Sequence, residues 1–201
     1  MKGLYLGLAH YPMKNKEGEK VCTSVTNLDI HDIARSCRTF GVEKYFIITP
    51  IVPQQQLVAR ILQHWQKEKS SIYNPDRFDA LSLVELTSSI DEALDIIEKK
   101  CSIRPFLAIT GAQWNGLTLA IEDIPLKIRI DNRPCLLLFG TGSGLHPEVQ
   151  ERTDFKVASI NGAAVDGYNH LSVRSAVAIY LDRLSNRLSK SQEKCQEMGI
   201  V

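Results

Sequence analysis

The 201-residue chain has almost no net charge, since 24 lysines and arginines against 23 aspartates and glutamates leave it at +1. Composition alone therefore gives no support to nucleic-acid binding, and only a local basic face remains open. Its five cysteines, Cys22, Cys37, Cys101, Cys135 and Cys195, are scattered, odd in number and contain no C-x-x-C pair. Neither a disulfide framework nor a zinc site is indicated, no metal is expected, and a reducing cytoplasm fits best. No apolar run approaches the roughly 20 residues a membrane span needs, so no membrane partner is expected. The opening MKGLYLGLAHYP has a short apolar run broken by Gly7 and His10 and reads as a first strand rather than a signal peptide. Internal repeats, low-complexity tracts and domain linkers are also lacking. Residues 1–201 read as one compact domain.

What is present is an alternation of short apolar runs with helical patterns, the signature of β-α-β units and a mostly parallel sheet flanked by helices. Strands are expected at GLYLGLA, YFIIT, LSLVEL, PFLAIT, CLLLFG and KVASI. YFIIT and CLLLF are apolar at successive positions, as strands covered on both faces should be. In LDIHDIARSCRTFG, Ile30, Ile33, Ala34 and Cys37 share one helical face, and Gly41 is placed to end the helix. PQQQLVARILQHWQKE carries Leu57, Val58, Ile61, Leu62 and Trp65 at helical spacing, and Ser89 with Glu92 forms a capping-box pattern. A last helix from about Ser172 to Ser189 turns Val173, Ala176, Val177, Tyr180, Leu181 and Leu184 inward, before a fraying polar tail. YPMKNKEGEK and KSSIYNPDRFDA read as long loops. TLAIEDIPLKIRIDN reads either as a strand, by its alternation, or as a short helix, by Pro125.

The stretch FGTGSGLHPEV sets glycines at 140, 142 and 144 directly after an apolar strand. Glycines there remove the Cβ atoms that would block a ligand from the backbone at the carboxyl end of a parallel sheet. A Walker phosphate loop is excluded, because Leu145 stands where its lysine belongs. A dinucleotide fingerprint has a different spacing and falls early in its fold, and Pro147 leaves room only for a short helix, although Asp166 follows at the ~20-residue distance of a ribose-binding acid. A glycine-rich turn without a ligand is the remaining alternative. Weight shifts toward a site through INGAAVDGYNHLSVRSAVAIYLDRL, where a strand ends at Ile160, a polar loop follows and HLSVRSA opens the last helix.

Taken in order, GLAHYP, VCTSVTNLDIHDIARSCRTFG, YNPDR, LLLFGTGSGLHPEV and NHLSVRSAVAIYLDRL resemble the SPOUT superfamily of knotted RNA methyltransferases. The likeness covers most of the chain and points to a bacterial branch related to the tRNA guanine-N1 methyltransferases. It implies an α/β fold whose C-terminal third is threaded into a trefoil knot, an exception to the usual absence of knots. It also implies S-adenosyl-L-methionine, bent against the knotted loops with its adenine held by backbone groups in an apolar slot. The positions that correspond are Thr110 and Gly111 at one strand end, then Phe139, Gly140, Thr141, Gly142, Gly144 and Leu145 in the middle loop. Ile160 ends the next strand, and Leu171, Ser172, Val173 and Ala176 open the last helix.

Arg35 matches the arginine of the superfamily's first motif, where a guanidinium holds phosphate or stabilises charge at the accepting group. A solvated helix arginine is the plain alternative. Asp166 and His170 are the acid or base groups of the last loop, suited to taking a proton from a ring nitrogen if they reach the acceptor, and otherwise loop decoration and a structural hydrogen bond. Asp29 stands where ribose-methylating relatives carry an asparagine, with Asn27 two positions earlier, and Ser172 where they carry a second one. Both departures count against ribose methylation. His31 reads as structural or RNA-facing, while Lys14, Lys16 and Lys20 are placed for phosphate contact. Arg174, Arg183 and Arg187 read as a positive strip or, equally, as solvated or facing a second subunit.

The apolar surplus of Ala176, Val177, Ile179, Tyr180 and Leu181 calls for a homodimer, which would bring Arg35 of one protomer toward the cofactor of the other. The expected function is methyl transfer to tRNA or rRNA. The alternative is a non-catalytic RNA-binding or regulatory module that keeps the cofactor pocket.

Overall fold

The computed structural model describes residues 1–67, 72–112, 114 and 116–197, without the side chains of 187–197. Its centre is a six-stranded sheet of β1 (Leu4–Ala9), β4 (Tyr45–Ile48), β5 (Val84–Thr87), β6 (Phe106–Ile109), β7 (Cys135–Gly140) and β8 (Phe155–Lys156). The order is β5-β4-β1-β7-β6-β8 and every pairing is parallel. Five of the six expected strands are present; of KVASI only Lys156 is in a strand, because β8 is just Phe155–Lys156, and Ile160 lies in the loop beyond rather than at a strand end. Beyond β8 the Val157 amide still donates to the Ile109 carbonyl at 2.9 Å, while Leu119 bridges to Val157, donating to Lys156 and accepting from Ala158.

Alternation along each strand divides the core between the two faces of the sheet. Leu4, Leu6, Leu8, Ile47, Leu137 and Phe139 pack under α1 (Asn27–Thr39) and the last helix. Tyr5, Ala9, Phe46, Ile48, Leu136 and Leu138 pack under α4 (Ile90–Cys101). Helix α1 is capped by Thr26, whose side chain accepts from the Asp29 amide, and it buries Ile30, Ile33, Ala34 and Cys37. Gly41 follows at φ +69°, where a Cβ would stand 2.7 Å from the Met1 nitrogen, so only glycine fits. Helix α4 is capped by Ser89, but Glu92 reaches back to the Ser88 amide and hydroxyl, one residue outside the regular box.

Four stretches differ from expectation or resolve an ambiguity. KSSIYNPDRFDA is not wholly a loop. Residues 68–71 lie outside the described ones, and α3 (Pro75–Leu81) forms because Asn74 caps the Arg77 amide and Pro75 begins the first turn. The ambiguous segment is helical, a 3₁₀ turn at Ile121–Asp123 leading into α5 (Ile124–Asp131) with Pro125 in its first turn. YPMKNKEGEK contains a small antiparallel hairpin of β2 (Met13–Lys14) and β3 (Lys20–Val21). The last helix, α7, runs from Val173 to Glu197, beyond the expected end. In α2 (Val52–Trp65) only Val58 is fully buried, and Leu57 remains exposed. A short α6 (Pro147–Glu151) follows the glycine loop.

Candidate functional site

The chain runs outward from β1 through β4 to β5 and returns through β6 and β7 on the other side, so the carboxyl ends of β1 and β7 flank the point where the strand order reverses. Ligands of open α/β sheets bind in such crevices. A cavity of about 670 Å³ opens there. Its walls are the loop after β7, the end of β6, Ile160, the start of α7, and the segment from Thr23 to Asp29 that leads into α1.

The three loop glycines serve different ends. Gly140 faces inward, and a Cβ on it would meet Met13 Cε at 2.8 Å and Leu145 Cγ at 3.0 Å. Gly142 and Gly144 adopt φ +56° and +103°, conformations that favour glycine. The loop is held from behind by β2: the Lys14 amide donates to the Gly144 carbonyl at 3.0 Å and the His146 amide to the Pro12 carbonyl at 3.1 Å. Thr141 Oγ1 donates to the Ala9 carbonyl at 3.2 Å and also meets Thr23 Oγ1. The loop, the end of β1 and the approach to α1 thus form one hydrogen-bonded unit.

Of the positions expected to hold the cofactor, Thr110, Gly111, Phe139, Gly140, Thr141, Gly142 and Gly144 line the cavity on the sheet side. Ile160, Leu171, Ser172, Val173 and Ala176 line it from the other wall. Leu145 does not. It is 3% exposed and packs with Met13 and Val149 beneath the loop, in the space that Gly140 leaves. His170 lines the cavity on an exposed stretch. Asp166 stands outside it, where its carboxylate accepts from the Tyr168 amide at 3.0 Å in a local turn. Arg35 is exposed on α1 and is not a wall of this cavity.

Several wall residues were not singled out from the sequence as cofactor positions: Thr23, Ser24, Thr26, Asn169 and Tyr180. For Thr23, Ser24 and Thr26 the polar run CTSVTN between two apolar elements was the signal. Asn169 donates to the Ile160 carbonyl at 2.8 Å, and Tyr180 to the Ala158 carbonyl at 2.8 Å, so the two fix the far wall. Behind Thr23 lies His10, fully buried, its Nδ1 3.1 Å from Thr23 Oγ1 and its Nε2 without a partner. Burial lowers its pKa to about 4, with the charge of Asp29 acting in the opposite sense, so the imidazole is neutral at pH 7.

Asp29 is a buried carboxylate in the cavity wall, 6% exposed. It accepts from Thr26 Oγ1 at 2.6 Å and pairs with Arg174 at 3.3 Å, while the same guanidinium reaches Asp32 at 3.6 Å. Arg174 is therefore an internal clamp between α7 and α1 rather than a solvated residue. Lys20 is paired with Glu148, Lys14 lies beside Gly144, and Lys16 is exposed. The side chain of Arg187 lies outside the described residues. Among the described residues no cluster could hold a metal ion, and no helix is long and apolar enough to cross a membrane.

The donor set fits S-adenosylmethionine. Phe139, Ile160, Leu171, Val173 and Ala176 supply apolar walls for a purine, and the loops after β6 and β7 present bare backbone for its polar edge. The volume lies within the usual range of about 300–1,000 Å³ for such sites.

Comparison with known proteins agrees with this geometry. A tRNA (guanine-N(1)-)-methyltransferase from Oleidesulfovibrio alaskensis is 45% identical over 183 residues, 91% of this chain, and the chain spans 42% of that relative's length. A probable methylase family protein from Haemophilus influenzae shares the fold at a TM-score of 0.63 with 16% identity, over 98% of this chain and 70% of that one. The SpoU methyltransferase AviRb from Streptomyces viridochromogenes, solved in complex with S-adenosylmethionine, aligns at a TM-score of 0.51 with 16% identity, over 92% of this chain and 60% of that one. A family model described as SAM-dependent RNA methyltransferase matches residues 3–186, and the chain belongs to that family.

Proposed function

We propose that the chain methylates a base of tRNA, that residues 1–201 act as one domain with a knotted C-terminal third, and that the working form is a homodimer. The observation that carries the reading is the cavity at the β1/β7 switch point, with the glycine loop on one wall and Asp29 and His170 on the others. When bound there, S-adenosylmethionine supplies a sulfonium methyl, whose bond to sulfur breaks as the acceptor's lone pair forms the new one.

The chain's own part is alignment and proton handling. Thr23, Thr141 and the loop glycines form a rigid wall against which the donor is held. A ring nitrogen that gains a methyl group must lose its proton. His170 stands on the cavity wall to accept it, whereas Asp166 is held in its own turn. Asp29, held in place by Arg174 and Thr26, orients a donor group of the acceptor base. Arg35 is exposed and is not a wall of its own protomer's cavity, which leaves it free for a role at the partner's site, where a guanidinium would stabilise charge on the acceptor.

Membership of a family described by its activity supports catalysis over a non-catalytic binding module. The 45% identical relative supports tRNA as the substrate class. Incubation with methyl-labelled S-adenosylmethionine and unfractionated RNA, followed by nucleoside mass spectrometry, should place the label on a purine or pyrimidine ring in the tRNA fraction. Donor binding with no label in any RNA would overturn the enzymatic reading, and label on ribose would overturn the base acceptor.

A further inference from the structure

Several arginines among the described residues are held by acids or carbonyls. Arg38 pairs with Asp79, Arg104 with Asp95 and Glu98, Arg152 with Asp91, Arg174 with Asp29, and Arg133 donates to two carbonyls. Arg35 and Arg77 are among those with no acidic partner among the described residues, and both belong to the packed group of α1 and α3, with α2 against α3. Arg77 lies over the indole of Trp65, its Cζ 5.1 Å from the ring centroid. His31 of α1 and His64 of α2 meet the same indole edge-on, with centroids at 5.8 and 5.6 Å. The Nδ1 of His31 is buried without a hydrogen-bond partner.

Leu28, His31 and Arg35 follow one another at three- and four-residue spacing, so they form a single stripe of α1 beside this cluster. Arg35 and Arg77 are close enough to His31 for both to lower its proton affinity, after burial as the larger cause and against the opposing charge of Asp32. The nearby acids are already occupied: Asp32 by Arg174 at 3.6 Å and Asp79 by Arg38 at 2.6 Å. Asp76, in the first turn of α3, is the exposed acid that remains.

A guanidinium backed by an indole is a preorganised planar fork, able to grip a phosphate through its N–H edge and to stack on a base through its face. Sequence-tolerant recognition of unpaired RNA uses this combination of cation and aromatic surface. We propose that the face made by His31, Trp65 and Arg77 docks a single-stranded segment of the RNA substrate. Arg77 holds its backbone, the Arg77–Trp65 pair receives an unstacked base, and Arg35, one turn along α1 from His31, extends the cationic edge of the face. This rests on RNA being the substrate. A second copy of the chain fits the face less well, because its cations have no free acidic counterparts across a two-fold axis beyond Asp76.

The test uses the full chain and labelled unfractionated tRNA. Arg77→Ala should weaken tRNA binding by about tenfold and reduce its salt dependence, with donor affinity and melting temperature unchanged. The chain has two tryptophans, so in a Trp114→Phe background tRNA should quench the emission of Trp65. Undiminished binding by Arg77→Ala while the unmodified chain binds tRNA would overturn the docking face alone. Emission from Trp65 that saturating tRNA leaves unchanged would do the same. Loss of dimer mass in light scattering in step with RNA affinity would reassign the face to a second copy. Failure of the unmodified chain to bind tRNA, with donor binding intact, would overturn the substrate reading and the docking face together.

Discussion

Replacing Gly142 by valine strains the backbone and fills the cavity at one position. Gly142 holds φ +56°, and a Cβ there would lie 3.2 Å from Thr23 Cγ2, the methyl beside the hydroxyl that meets Thr141. A left-handed conformation costs an L-residue about 1–2 kcal/mol, and a β-branched side chain more. If the strain were the whole effect, the variant would lose about 2–4 °C of melting temperature per kcal/mol, as a chain of this size does. The valine methyls also enter the wall of the donor cavity, so calorimetry should show binding weakened at least about 100-fold, or about 2.7 kcal/mol. Gly18→Ala separates the two effects. Gly18 has φ +85° with nothing within 4 Å, so alanine there incurs the backbone cost without touching the cavity. Gly18→Ala should melt lower and bind the donor normally. Normal donor affinity in Gly142→Val would remove the glycine loop from the site.

Stability should also depend on His10. Its folded pKa of about 4 lies below the unfolded value near 6.5, so the unfolded state binds the extra proton between those limits. Stability is then full above about pH 6.5, falls by at most roughly 3 kcal/mol toward pH 4 and levels off below. Urea titrations across that window should show the slope, and His10→Gln should flatten it; an unchanged slope would refute the assignment. Asp29→Asn keeps the contact with Thr26 but removes the charge facing Arg174, so unfolding free energy should drop by about 1–3 kcal/mol, with methyl transfer falling further than donor affinity. Equal losses in both would make Asp29 purely structural. Arg35→Ala should lose methyl transfer and keep donor affinity, and mixing it with Gly142→Val chains should restore part of the activity, since one hybrid site then holds both intact parts. Inactive mixed dimers would defeat the shared site.

Much of the architecture was legible residue by residue. The apolar runs at Tyr45–Ile48 and Cys135–Gly140, the helix ended by Gly41 and the cap at Ser89 depend on neighbours a few positions away, and period and capping record such neighbours directly. The glycine loop carried a local signal, but its grouping with the start of the last helix into one cofactor site rested on the family resemblance. The helix at Pro75–Leu81 also had its signals, Asn74 and Pro75, but they sat in a stretch whose length and mixed composition suggested a loop.

Tertiary structure decided which loops meet. Strand order β5-β4-β1-β7-β6-β8 sets the end of β1 beside the end of β7, and only that adjacency brings Thr23, Thr26 and Asp29 into the wall opposite Ser172 and Val173. The same order lets Met13 pair with Leu145, which turns Leu145 into the core beneath Gly140 instead of toward a ligand. Asp166 stays in its own turn, while Asp29, more than 100 positions from the glycine loop, becomes a buried acid of the cavity wall clamped by Arg174. Local sequence sets what each segment becomes because backbone propensity and side-chain periodicity act within a few residues. Which segments face each other depends on parallel pairings between distant strands, and no local pattern encodes those.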